Sequence, residues 1–215
     1  MAKKIFHVPL GPARAEINVL NSRFIASLDY VETVDEARNF ITAIRNEYPD
    51  ASHNVPAFIV GGDKSSTEFC SDDGEPSGTS GRPLLAVLHG SGLGNVAVVV
   101  TRYFGGTLLG TGGLVKAYSE AGKKVLEVAR RAELVEVALL SAALPYRLFE
   151  PFKTAVETSE GTLLSTEFAE LVEIKVEIPL IELEKFRSRC ADLSAGELSL
   201  TQYGQREALL PLPSF

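Results

Sequence analysis

The sequence has little of what would place a chain outside the ordinary globular class. Among 215 residues there are two cysteines, Cys70 and Cys190. They are too few and too far apart for a disulfide framework or a cysteine zinc site, and both are expected to be free and buried. No apolar run approaches the roughly 20 residues that cross a bilayer. The N-terminal MAKKIFHVPLGPARAEI has too short an apolar stretch for a secretory signal, so a cytoplasmic protein with no membrane partner is expected. Low-complexity tracts are absent. Positive charge is scarce, with 21 Lys and Arg against 28 Asp and Glu, net −7, which argues against a protein that coats nucleic acid through bulk potential. The deficit is uneven. Residues 134–215 carry 7 basic and 13 acidic side chains, leaving 14 and 15 for residues 1–133, so an anionic partner is expected to meet the N-terminal part.

What is present, 45% hydrophobic residues over this length, suffices for packed cores in one large or two small domains. Ala15–Leu20 and Ser22–Val31 alternate as an antiparallel strand pair around Asn21. Thr33-Val34-Asp35-Glu36 forms a capping box before Ala37, Phe40, Ile41 and Ile44 at helical spacing, and Pro49 stops that helix. Val55–Gly61 and Thr67–Ser71 suggest a second strand pair turned by Gly61-Gly62-Asp63. Pro83 suits the first turn of a short helix that Gly90 can end. Asn95–Thr101, with AVVV at its centre, predicts a strand buried on both faces. A long helix follows from about Thr111 to Ala132, with Glu120/Lys124 and Glu127/Arg131 as i,i+4 pairs. From residue 134 the pattern becomes strand Val135–Leu144, helix Pro145–Ser159, strands Thr162–Phe168 and Val172–Leu180, helix Ile181–Leu193 and strand Leu198–Tyr203. That βαββαβ order predicts a ferredoxin-like sheet with both helices on one face. The fold class is therefore α+β in two domains, 1–133 and 134–215.

The chemistry concentrates between Cys70 and Tyr118. Asp72, Asp73 and Glu75 place three carboxylates within four positions, on a turn that Gly74 and Pro76 keep irregular. Such a cluster suits magnesium or acid–base work; equally, it suits a turn whose aspartates bond their own backbone. Gly105, Gly106, Gly110, Gly112 and Gly113 lead into the long helix. Converging amides and the positive helix end make that stretch a candidate anion site, with Arg102 and Lys116 to assist. It is neither a P-loop nor GxGxxG, and glycines that merely permit tight packing remain the alternative. His53 before a strand can face the same cleft but has no second histidine for a metal pair. Ser77, Thr79 and Ser80 lack the base and acid of a nucleophilic triad, and helix capping explains them as well. Tyr103 and Phe104 can stack on a base, though adjacent aromatics after a buried strand more often belong to the core.

SDDGEPSGTSGRP followed by TRYFGGTLLGTGGLVKAY resembles the signature of the IMPACT family, in its bacterial YigZ-like branch. SRFIA at Ser22–Ala26 and the His53-Asn54 pair also sit where that family has them. Val55 stands where a cysteine often follows the pair, and Ser80 where alanine is common. The resemblance implies an N-terminal α/β domain like the second domain of a small-subunit ribosomal protein, shared with GHMP kinases. It implies a C-terminal ferredoxin-like domain similar to one of elongation factor G. It also links eukaryotic members to control of translation initiation under amino-acid stress, brings no established enzymatic activity, and leaves a two-domain bacterial-type chain without a separate partner-binding region ahead of the signature. Two functions are expected to compete. One is a binding protein of the translation apparatus that holds RNA backbone or an acidic protein segment, of the ribosome or a translation factor, beside Arg102, Gly105–Gly113 and Lys116, while Asp72, Asp73 and Glu75 contact basic groups or a bridging cation. The other is a magnesium-dependent enzyme of phosphate or ester chemistry.

Overall fold

The structure, a computed structural model, describes residues 6–62 and 65–212. It divides into two compact units, one taking the described residues through Glu133 together with Pro211 and Leu212, the other Leu134–Leu210. Both mix helix and sheet, the α+β class expected.

The first unit is organised around one strand. AVVV permits no polar face, so β6 (Val96–Tyr103) must be covered on both sides, and the sheet order β2-β3-β6-β4-β5 puts it in the middle. Its neighbours are β3 (Ser22–Tyr30) and β4 (His53–Val60), with β2 (Ala13–Val19) and β5 (Thr67–Cys70) outside, every pair antiparallel. Because side chains alternate along a strand, Val96, Val98 and Val100 join one core with Phe24, Leu28, Val55, Leu84, Leu114 and Tyr118. Ala97 and Val99 join another with Ala37, Ile41, Ile44 and Phe58. The first face is covered by α2 (Gly81–Ser91) and α3 (Gly110–Val128), the second by α1 (Val34–Glu47). A short first strand, β1 (Phe6–Pro9), bridges Leu93 through His7.

In the second unit β7 (Arg131–Leu144), α4 (Phe149–Thr158), β8 (Thr162–Phe168), β9 (Val172–Pro179), α5 (Leu183–Ser194) and β10 (Thr201–Pro211) follow the ferredoxin-like order. β7 pairs with β9, β9 with β8, and β10 lies on β7, so the two strands of each βαβ half are separated by one other strand. Inward residues Leu140, Leu144, Ile174 and Ile178 meet Phe152 of α4 and Phe186 of α5, whose rings cross at 72° and 5.6 Å.

Several local expectations need correction. α2 runs through Gly90 and ends at Gly92, which supplies the left-handed φ of +70°. α3 stops at Val128, because Ala129 turns extended and the chain enters β7; Arg131 is therefore no helix partner for Glu127, which pairs with Lys124 instead. The strand expected at 198–203 begins later and runs longer, while Leu198 and Leu200 pack against the core ahead of it. The capping box of α1 is offset: Thr33 Oγ1 accepts the Glu36 N–H, but Glu36 Oε2 accepts from Glu32. Cys190 is buried and Cys70 only half-buried, both free. Neither Tyr103 nor Phe104 is core: the first closes β6 and the second is exposed. The turn expected at Gly61-Gly62-Asp63 falls partly outside the described residues.

Candidate functional site

Register decides which residues meet. Phe24, Arg102 and His53 lie abreast on β3, β6 and β4, and the two-residue period turns Arg102 to the same side as Val98 and Val100, toward α3. There a guanidinium is buried, 5% exposed, which is costly unless it is paired and hydrogen-bonded. The partner is Glu75. Its Oε1 accepts from Arg102 Nη1 at 2.6 Å and from the Tyr118 hydroxyl at 2.7 Å. Arg102 Nη2 donates to Ser22 Oγ at 3.3 Å, and the rings of Phe24 and Phe104 flank the guanidinium at 5.4 and 5.5 Å. Nε alone has no partner. Burial, and then donation to Glu75, drives the Tyr118 phenol far above its ordinary range.

The other two acids of the turn point elsewhere. Asp72 caps α2 from a distance: Oδ2 accepts the Gly78 N–H at 2.8 Å, and Oδ1 accepts the Gly81 N–H at 2.9 Å, the Ser80 N–H at 3.1 Å and the Ser80 hydroxyl at 2.7 Å. Burial raises the pKa of this carboxyl, but donation from Gly78, Ser80 and Gly81 outweighs it and holds the group at about 2. Asp73 ties β4 to α1, accepting from Arg45 Nη2 at 2.6 Å and the Asn54 N–H at 2.7 Å. Its backbone carbonyl lies 2.8 Å from His53 Nδ1. A carbonyl only accepts, so Nδ1 carries the proton. Nε2 then lies 3.8 Å from Glu75 Oε2. The local geometry that fans the three acids apart is visible in the backbone, where Asp73 and Gly74 both take positive φ. Each carboxylate is thus committed to the fold, and among the described residues no group of three or more His, Cys, Asp or Glu side chains is arranged to hold a metal ion.

The glycine-rich stretch behaves differently. Gly105 is structural: a Cβ there would fall 2.0 Å from the Asn21 carbonyl oxygen, so only glycine lets the loop pass the β2–β3 turn. Gly106 and Gly110 take positive φ, +83° and +69°. Gly112 has neither excuse, since its φ is helical and nothing lies within 4 Å of an added Cβ. α3 also starts with no side-chain cap and no acid in its first turn, so amides at Gly110, Thr111 and Gly112 have no partner within the helix. The helix end opens into a cleft of about 540 Å³. His53, Glu75 and Arg102 form its polar wall, and Phe104, Leu108 and Leu114 its apolar one.

The residues singled out in the sequence therefore separate into groups. His53, Glu75, Arg102 and Gly110 line the cleft. Asp72 and Asp73 brace the elements around it. Ser77 and Lys116 are exposed away from the lining, Thr79 is buried with its hydroxyl on the Pro76 carbonyl, and Tyr103 donates to Asp50 at 2.8 Å. Three participants carried no sequence signal of their own. Tyr118 sits at core spacing on α3, Arg45 is 28 residues from Asp73, and Leu108 resembles any loop leucine.

Comparisons with known proteins agree over nearly the whole chain. Residues 20–138 match the Impact N-terminal domain and residues 143–197 a domain of unknown function, DUF1949. The Escherichia coli protein IMPACT family member YigZ is 36% identical over 90% of this chain and 95% of its own. IMPACT family member YvyE of Bacillus subtilis is 34% identical over 87% and 86%. Among solved structures, the crystal structure of a hypothetical protein covers 94% of this chain and 98% of its own at 33% identity, with a TM-score of 0.62. With the Impact N-terminal domain matched over residues 20–138 and relatives 36% and 34% identical matched over most of both chains, the chain belongs to the IMPACT family.

Proposed function

We propose that the chain is a non-enzymatic, cytoplasmic regulatory protein of the translation apparatus, which acts by holding a partner on the ribosome or a translation factor at the cleft ahead of α3. One contrast carries the reading. The three acids of the turn, Asp72, Asp73 and Glu75, are tied into the fold, while the positive end of a 19-residue helix is left uncapped in a cleft. Membership of a family whose eukaryotic members resemblance links to initiation control supplies the translational context. A binding protein needs donors that no internal group has claimed, and this helix end offers them.

Arg102→Ala is a poor test, because it strands Glu75 in the interior. Gly112→Glu is better: it adds a carboxylate in the first turn of α3, where acids favour the helix, and sets a negative charge beside the free amides, which repels an anionic ligand group. Co-sedimentation with ribosomal subunits should detect wild type and lose the Gly112→Glu variant, with its melting temperature kept or raised. Equal association of the two proteins, or none by wild type, would remove the reading.

A further inference from the structure

We infer that the occupant of this cleft is a protein segment presenting an apolar side chain beside a carboxylate, rather than a nucleic-acid backbone. The inference rests on the binding role proposed above and specifies its partner. Four observations converge. First, Gly110 and Thr111 line the cleft at the start of a helix that has no side-chain cap, and at Gly112, the next position, nothing lies within 4 Å of an added Cβ. Second, Arg102 faces the same cleft 95% buried, by its 5% exposure, with Nε bonded to nothing. An unpaired buried donor costs about 1–3 kcal/mol, a cost that an incoming acceptor oxygen relieves. Third, the opposite wall is apolar and uncovered: Leu108 is 85% and Phe104 47% exposed, with Leu109 and Leu114 behind them. Large exposed side chains grouped at the mouth of a concave site indicate an apolar ligand group.

The fourth observation separates protein from RNA. Backbone phosphates are held by several lysines or arginines acting together. Here the lining holds one such cation, already ion-paired with Glu75 at 2.6 Å, and Lys116 lies outside it. Glu75 on the wall also disfavours a ligand of high negative charge. One carboxylate facing the helix end, with an apolar neighbour against Leu108 and Phe104, matches both walls at once.

Nitrogen-15-resolved NMR of the full chain tests this with minimal probes. N-acetyl-leucine should shift the amide signals of Gly110, Thr111 and Gly112 saturably in the millimolar range. N-acetyl-leucinamide, which lacks the charge, and acetate, which lacks the apolar group, should each bind at least fivefold more weakly. Leu108→Ala should weaken N-acetyl-leucine to the level of acetate without changing the melting temperature, since Leu108 is solvent-exposed. Acetate equal to N-acetyl-leucine would overturn the apolar half of the proposal. A single-stranded oligouridylate that moves these amides where N-acetyl-leucine does not would overturn the protein-segment proposal and leave the cleft as the partner site. Silence of these amides toward every probe would overturn both.

Discussion

Residues 71–81 and 104–113 border one cleft and spend their polar groups in opposite ways. In the first, Asp72, Asp73 and Glu75 receive donors from α2, α1, β4, β6 and α3, so that a turn with two consecutive positive-φ residues is fixed from every side. In the second, the helix begins uncapped and large apolar side chains stand in solvent. The first segment is a brace and the second a surface. The difference teaches that density of acids or glycines does not itself identify a working site; whether their donors and acceptors are already claimed does.

The sharpest way to break the contrast is Glu75→Ala. If the acid turn is a brace, removing this side chain leaves Arg102 buried, without its counter-ion, beside an orphaned Tyr118 hydroxyl. A loss of about 3–5 kcal/mol in urea unfolding is expected. Adding Arg102→Met should recover much of it, because two apolar groups replace the pair. A Glu75→Ala protein of unchanged stability would mean that the acid is held for a ligand after all.

Gly105→Ala comes next and tests the exception within the open segment. A Cβ placed 2.0 Å from the Asn21 carbonyl cannot be absorbed by a rotamer, so the loop or the β2–β3 turn must shift, at about 2–3 kcal/mol by analogy with overpacked cores. Intact stability would show that this loop is freer than its packing implies.

Asp72→Ala should cost about 1–2 kcal/mol through the lost cap on α2, and it carries a pH signature. The folded pKa of about 2 lies below the ordinary 3.8, so protons bind the unfolded chain more readily. The contribution of Asp72 is therefore complete above about pH 4 and fades as pH falls toward 2. Thermal unfolding between these limits should show wild type converging on the variant; parallel curves would assign the cap's strength to another group.

How much of this was legible beforehand follows from the same physics. The βαββαβ order and the two-faced burial of β6 were readable because they rest on local periodicity. α1 was readable from Thr33 and Glu36, although the reciprocal bond fell on Glu32. The cluster Asp72-Asp73-Glu75 was visible as a cluster but not as three separate braces, since its partners Ser80, Arg45 and Arg102 are tertiary neighbours that register alone brings near. Ends of elements slipped where competing stops were present: Gly90 and Gly92 both suited the end of α2, and only the second needed a left-handed backbone. Tyr118 remained hidden because a buried tyrosine and a buried phenylalanine have the same spacing, and the hydroxyl matters only once Glu75 lies beneath it.

The smallest effect is also the most discriminating. Gly112 occupies the first turn of α3 with an ordinary helical backbone and nothing within 4 Å of an added methyl group. On propensity alone Gly112→Ala should stabilise the protein, by about 0.5–1 kcal/mol. Gly112 follows the cleft-lining Gly110 and Thr111, and a glycine there leaves room for a ligand to approach the backbone amides closely. The variant should melt a few degrees higher and bind N-acetyl-leucine several-fold more weakly, a gain in stability coupled to a loss of binding that a purely structural glycine cannot produce. Higher stability with unchanged binding would place the ligand away from this turn of the helix and move the site toward Arg102 and Leu108.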